Sequence, residues 1–121
     1  MVEIWKEVKG FEKHYLVSTF GRVKSIKSKK ILKQSIGTDG YLKLNLSKNT
    51  KRVHRLVGET FLINEKNKET INHKDKNRLN NNLENLEWMT QYQNNRHKNN
   101  LPDMTVFTER ITEQIKRIVI L

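Results

Sequence analysis

In the stretch YLKLNLSKNTKRVHRLVGETF, residues 41–61, the apolar spacing changes from that of a strand to that of a helix. Leu42, Leu44 and Leu46 alternate with polar partners, which predicts a half-buried strand. KNTK, residues 48–51, reads as a turn, and residues 52–53 as a short return strand. Val53, Leu56, Val57 and Phe61 then fall at i, i+3, i+4 and i+8, one face of a short helix. A chain with both periods side by side is expected to be α+β.

The flanks extend this pattern. Tyr15 with Val17, and Val23 with Ser25, predict two short strands joined through residues 18–21. Trp5 and Tyr15 are expected in the core of this N-terminal part. Residues 63–69 form a charged connector, Thr70–His73 a short strand, and residues 74 to about 84 a long polar loop. Residues 86–88 return as its partner strand, with Leu86 and Trp88 facing the core. Thr90 with Gln93 three residues on is a capping box, opening a helix through QYQNNRHKNN that ends before Pro102. In the closing TERITEQIKRIVIL, Ile111, Ile115, Ile118 and Val119 form a helical stripe.

At 121 residues with 35% apolar content, the chain supports one compact domain with a small core. It has no cysteine, which excludes a disulfide framework and a thiolate zinc finger. No apolar run approaches a membrane span and no signal-peptide pattern opens the chain, so a soluble protein of a reducing compartment is expected. Lys and Arg number 24 against 13 Asp and Glu, a net charge of +11. Residues 1–60 carry 14 basic and 5 acidic groups, so +9 of that charge sits in the first half. Such a surface attracts polyanions through counterion release. A basic amphipathic helix for a membrane surface is missing, because residues 22–33 lack the period. Nucleic acid is the expected partner.

The stretch INHKDKNRLNNNLENLEWMTQYQNNRH, residues 71–97, carries the candidate chemistry. Asn72 and His73 end a predicted strand, and Asn94 and His97 share a face of the predicted helix. If strand and helix converge, two carboxamides and an imidazole would surround a hard divalent cation beside a second imidazole. A neutral imidazole can take a proton from water at cellular pH. The competing reading is a loop histidine among asparagines that simply form turns. Asn80, Asn81 and Asn82 read as loop residues in either case.

VHRLVGETF, INHKDKNRLNNNLENLEWMT and QNNRH together resemble the HNH endonuclease family of phage and intron homing nucleases. EIWKEVKGFEKHYLVSTFGRVKSI resembles the NUMOD4 module that commonly precedes an HNH domain. The resemblance implies a NUMOD4-like β-rich module at residues 1–36, a ββα-metal nuclease domain at 37–100 and a helical tail at 101–121. It implies metal-dependent hydrolysis of DNA phosphodiester bonds with Mg2+ or Mn2+. His73 matches the general base, and Asn85 matches the asparagine that holds the catalytic loop and orients the histidine. Asn94 and His97 match helix-borne positions at the metal. Asn72 stands at a metal-ligand position that is aspartate in some relatives, so the apo site is expected to hold magnesium weakly. His54, in the recurring VHRLV segment, is expected to be structural or to contact phosphate.

Double-stranded DNA is the partner this reading implies. Arg22, Lys24, Lys27, Lys29, Lys30 and Lys33 could track its phosphates, with Arg55 beside His54 as a further contact. The tail leaves three options open: a further DNA-binding element, packing back on the domain, or dimerisation of an otherwise monomeric protein. The expected compartment is the cytoplasm, that of a bacterial host if the chain is phage- or intron-encoded. A non-catalytic DNA-binding protein on a degenerate HNH fold is the alternative, motivated by the neutral Asn72. An RNA-binding protein rests on charge alone.

Overall fold

The computed structural model describes residues 2–102. The apolar stripe from Ile111 to Val119 lies outside them. Three small antiparallel sheets surround one central helix. The first sheet orders β1 (Trp5–Glu7), β2 (Tyr15–Ser18) and β3 (Val23–Ser25); the second, β4 (Ser35–Ile36), β5 (Leu42–Leu46) and β6 (Asn49–Arg52). The third pairs β7 (Thr70–His73) with β8 (Leu86–Met89). Helix α1 (Val53–Phe61) touches β2, β5, β6, β7 and β8, and α2 (Gln91–Lys98) lies against β7 and β8. The mixture is α+β, as the two apolar periods require.

The core follows those periods. Leu44 and Leu46 of β5 meet Val53, Leu56 and Val57 of α1, together with Ile71 and Leu86 of the β7–β8 pair. Val8, Val17 and Val23 of the N-terminal unit join the same cluster. Trp88 packs at its edge and donates its indole N–H to the Leu62 carbonyl at 3.1 Å. Helix α1 approaches β7 so closely that a Cβ on Gly58 would lie 2.2 Å from Ile71 Cδ1. Tyr15 packs against the cluster, while Trp5 is half-buried under Lys24, whose ammonium sits 4.1 Å from the ring centroid.

Two details differ from the sequence reading. The β5–β6 reversal uses Ser47 and Lys48, both at positive φ (48° and 71°), and β6 begins at Asn49. A two-residue loop of this geometry matches the twist of paired strands and is usually signalled by Asn-Gly. Ser-Lys gives no such signal, which displaced the expected turn and assigned Val53 to a strand. Strands β1 and β4 are three and two residues long, too short for an alternation to register. The capping box of α2 is present, with Gln93 N–H donating to Thr90 Oγ and Thr90 N–H donating to Gln93 Oε1, both at 3.1 Å.

Candidate active site

Strand β7 delivers two adjacent residues, Asn72 and His73, at the mouth of a cleft of about 250 Å³. Its lining also includes Asn94 and His97 from α2 and Tyr41 from just before β5. The two segments predicted to converge therefore do so. Helix α2 has no apolar stripe; its capping box and the buried Gln93 and Asn94 seat it against the sheet. That seating turns Asn94 and His97, three residues apart, toward β7.

The polar loop between β7 and β8 is built, not slack. Asn85 donates to Asp75 Oδ1 at 2.9 Å and to the Asn80 carbonyl at 2.8 Å, and it accepts from the Asp75 N–H at 3.1 Å. Asp75 accepts in turn from the Asn77 N–H and the Asn80 amide. These contacts hold the Asp75 carboxyl below its ordinary range. Asn85 thus holds the loop, and its side chain does not bond the imidazole of His73. That contact is made by Asn81, whose Oδ1 lies 2.7 Å from His73 Nε2.

His73 is buried, and desolvation lowers its pKa; the bond to Asn81 and the charge of Asp75 oppose this, and Arg78 adds to it. Behind it, His54 stacks on Tyr41 with ring centroids 4.7 Å apart and lies 5.1 Å from the His73 ring. Burial, then the neighbouring His73 and the Arg55 and Arg52 charges, push His54 down to about 3. His54 is thus a neutral ring packed against His73, and it does not line the cleft.

The donor set suits a hard cation in kind. His97 Nε2 is buried without a hydrogen-bond partner among the described residues. The Asn94 carboxamide makes no hydrogen bond to a described residue. Asn72 spends its N–H on Glu87 Oε1 at 3.1 Å, leaving its carbonyl oxygen uncommitted. Two carboxamide oxygens and an imidazole nitrogen fit an oxygen-preferring divalent ion, although no carboxylate lines this cleft. Among the described residues, no group of three His, Cys, Asp or Glu side chains could hold a metal.

The basic residues divide differently from the sequence reading. Lys76, Arg78 and Lys98 line the cleft itself. Arg78 donates to the Asp39 carbonyl at 2.6 Å and lies over the Tyr41 ring. Lys27, Lys29, Lys30 and Lys33 are exposed but do not line the cleft. Arg22 is paired with Glu3, and Arg55 with Glu59 at 2.8 Å. Tyr41 gave no signal because long-range folding brings it to the site, whereas Lys76, Arg78, Asn81 and Lys98 stand close in sequence to the candidates but in polar runs that do not single them out.

The NUMOD4 motif matches residues 3–47, and the HNH endonuclease family matches residues 51–96. The chain belongs to the HNH endonuclease family. It is 46% identical over 91 residues to the DNA endonuclease I-HmuI of Bacillus phage SP01, covering 72% of this chain and 52% of that protein. It is 45% identical over 114 residues to the HNH endonuclease L247 of Acanthamoeba polyphaga mimivirus, covering 85% of this chain and 28% of the relative. The solved structure describing DNA binding and cleavage by the HNH homing endonuclease I-HmuI superposes with a TM-score of 0.67 at 38% identity. That match covers 91% of this chain and 66% of the other. The chain spans 28% to 52% of the length of the curated relatives it matches. Among the described residues, no helix is long and apolar enough to cross a membrane.

Proposed function

We propose that this HNH-family chain is a metal-dependent DNA endonuclease that hydrolyses phosphodiester bonds with His73 as general base. The observation that carries the reading is the convergence of Asn72, His73, Asn94 and His97 on one cleft rimmed by Lys76, Arg78 and Lys98. Burial keeps the His73 imidazole neutral at cellular pH, so it can accept a proton from the attacking water. Asn85 supports this by locking the loop that follows the base. Lys76, Arg78 and Lys98 bind and orient the phosphates on either side of the scissile bond. Asn72, Asn94 and His97 would hold the divalent cation, with Mg2+ and Mn2+ the candidates. When bound, that ion supplies charge neutralisation at the phosphate and its leaving oxygen. With no carboxylate in the set, phosphate oxygens of the DNA would have to complete the coordination, and affinity for metal alone would be low.

The test is plasmid nicking in Mg2+ or Mn2+ with wild type and His73→Ala side by side. Metal-dependent nicking that is lost in His73→Ala is expected. Cleavage that survives both EDTA and His73→Ala would overturn the assignment. Steeply salt-dependent DNA binding with no cleavage in any divalent metal would favour instead a DNA-binding protein that has lost catalysis. The neutral Asn72 is the feature behind that second reading.

A further inference from the structure

We propose that Asn81 is the positioning residue that fixes the His73 tautomer, and that the N-terminal β-unit holds Asn81 in place through Gly21. The inference rests on the reading of His73 as base, and it draws the N-terminal unit into the catalytic apparatus.

Asn81 stands in the run Asn80, Asn81, Asn82, where it looks like loop filler. It is only 4% exposed, and its Oδ1 lies 2.7 Å from His73 Nε2. A carbonyl oxygen can only accept, so the imidazole nitrogen facing it must carry the proton. The lone pair of the neutral ring then lies on Nδ1, which has no hydrogen-bond partner among the described residues. One contact thereby selects the basic nitrogen and stops the ring from turning over. Asn85 cannot perform this task, because both ends of its amide are committed to the loop. Stability gives no reason for an amide here, since Asn81 Nδ2 is buried without a partner, an arrangement that disfavours folding.

The clamp on Asn81 comes from the β2–β3 turn. Gly21 has φ of 82°, and a Cβ there would lie 2.9 Å from Asn81 Cβ and 3.0 Å from its carbonyl oxygen. Only glycine lets the turn close against Asn81. The turn is fastened on both sides of this contact. Gln34 donates to the Gly21 carbonyl at 2.8 Å, and the Leu83 N–H donates to the Thr19 carbonyl at 2.8 Å. A chain of direct contacts thus runs from the N-terminal unit through Asn81 to His73 Nε2.

The experiment reads the tautomer directly. Long-range 1H–15N spectra of the full chain with labelled histidine distinguish Nε2–H from Nδ1–H for each ring. Wild type is expected to show His73 as Nε2–H. Asn81→Ala and Gly21→Ala should show a mixture, whereas Asn81→Asp, which still offers an acceptor, should keep the Nε2 proton. In nicking assays Asn81→Ala should lower kcat roughly 10-fold or more with KM for DNA unchanged. In a His73→Ala background it should have no further effect. Thermal melts of each variant separate loss of fold from loss of tautomer. An Nδ1–H tautomer in wild type, or an unchanged tautomer in folded Asn81→Ala, would overturn the role of Asn81. An unchanged tautomer in folded Gly21→Ala would overturn the clamp. If wild type and His73→Ala nick DNA equally, the base assignment fails instead, and the spectra still decide the contact.

Discussion

His54 shows how a single side chain can set the conditions under which the site exists. Folding requires it neutral, held at about 3 by burial between Tyr41 and His73. In the unfolded chain it titrates near the ordinary value of about 6.5. Below that pH the unfolded state binds the proton and the folded state does not, so stability falls as pH drops from about 6.5 toward 3. The loss reaches at most about 1.4 kcal/mol per pH unit; above 6.5 this contribution is flat. His73, whose pKa is also lowered, adds loss of the same sign. Chemical denaturation at pH 7 and pH 4.5 should show His54→Phe losing about 2 kcal/mol less than wild type across that interval. Equal losses would mean that His54 is charged in the fold. Sequence reasoning expected His54 to be structural or to contact phosphate but could not see this burial, since the Tyr41 and His73 rings it meets are distant from it in the chain.

At the scale of elements, the contact of α1 with β7 pits two effects against each other. Gly58→Ala should gain about 1 kcal/mol of helix propensity. The added methyl, however, would meet Ile71 Cδ1 at 2.2 Å and Cγ1 at 3.1 Å. The strand carrying Ile71 is pinned by its pairing with β8, so only the terminal carbon can swing aside. Overpacking of this kind costs about 1–3 kcal/mol, so the variant should melt lower than wild type, with β7 amide shifts displaced. A higher melting temperature would show that the side chain yields freely. These elements were legible because β5, α1 and α2 announce themselves by period or by cap. Strands β1 and β4 were not, and the Ser47–Lys48 reversal hides a left-handed geometry in residues that do not advertise it. The candidate site was half legible. Linear spacing raised Asn72, His73, Asn94 and His97 as candidates and the family resemblance selected them, whereas Asn81 resembled its neighbours until the β2–β3 turn came to rest on it.

For the molecule as a whole, charge predicts attraction and geometry predicts where it is used. The first half holds most of the net charge, yet Arg22 and Arg55 are engaged with Glu3 and Glu59. Lys76, Arg78 and Lys98 instead line the cleft proposed to receive the scissile phosphate. Each phosphate neutralised contributes roughly 0.9 to the slope of log affinity against log salt. Replacing these three by alanine should reduce that slope by about 3 in equilibrium binding to duplex DNA. An unchanged slope would place the DNA path away from the cleft. The pairing of β7 with β8, in which Asn72 faces Glu87 and His73 faces Leu86, carries a consequence beyond stability. Side chains alternate along a strand, so a slip of one position would exchange the surroundings of His73, the proposed proton acceptor, and of Asn72. The whole division of labour between adjacent side chains is thus encoded as the alignment of two four-residue ribbons, and a frame error in space would disable it with every side chain intact.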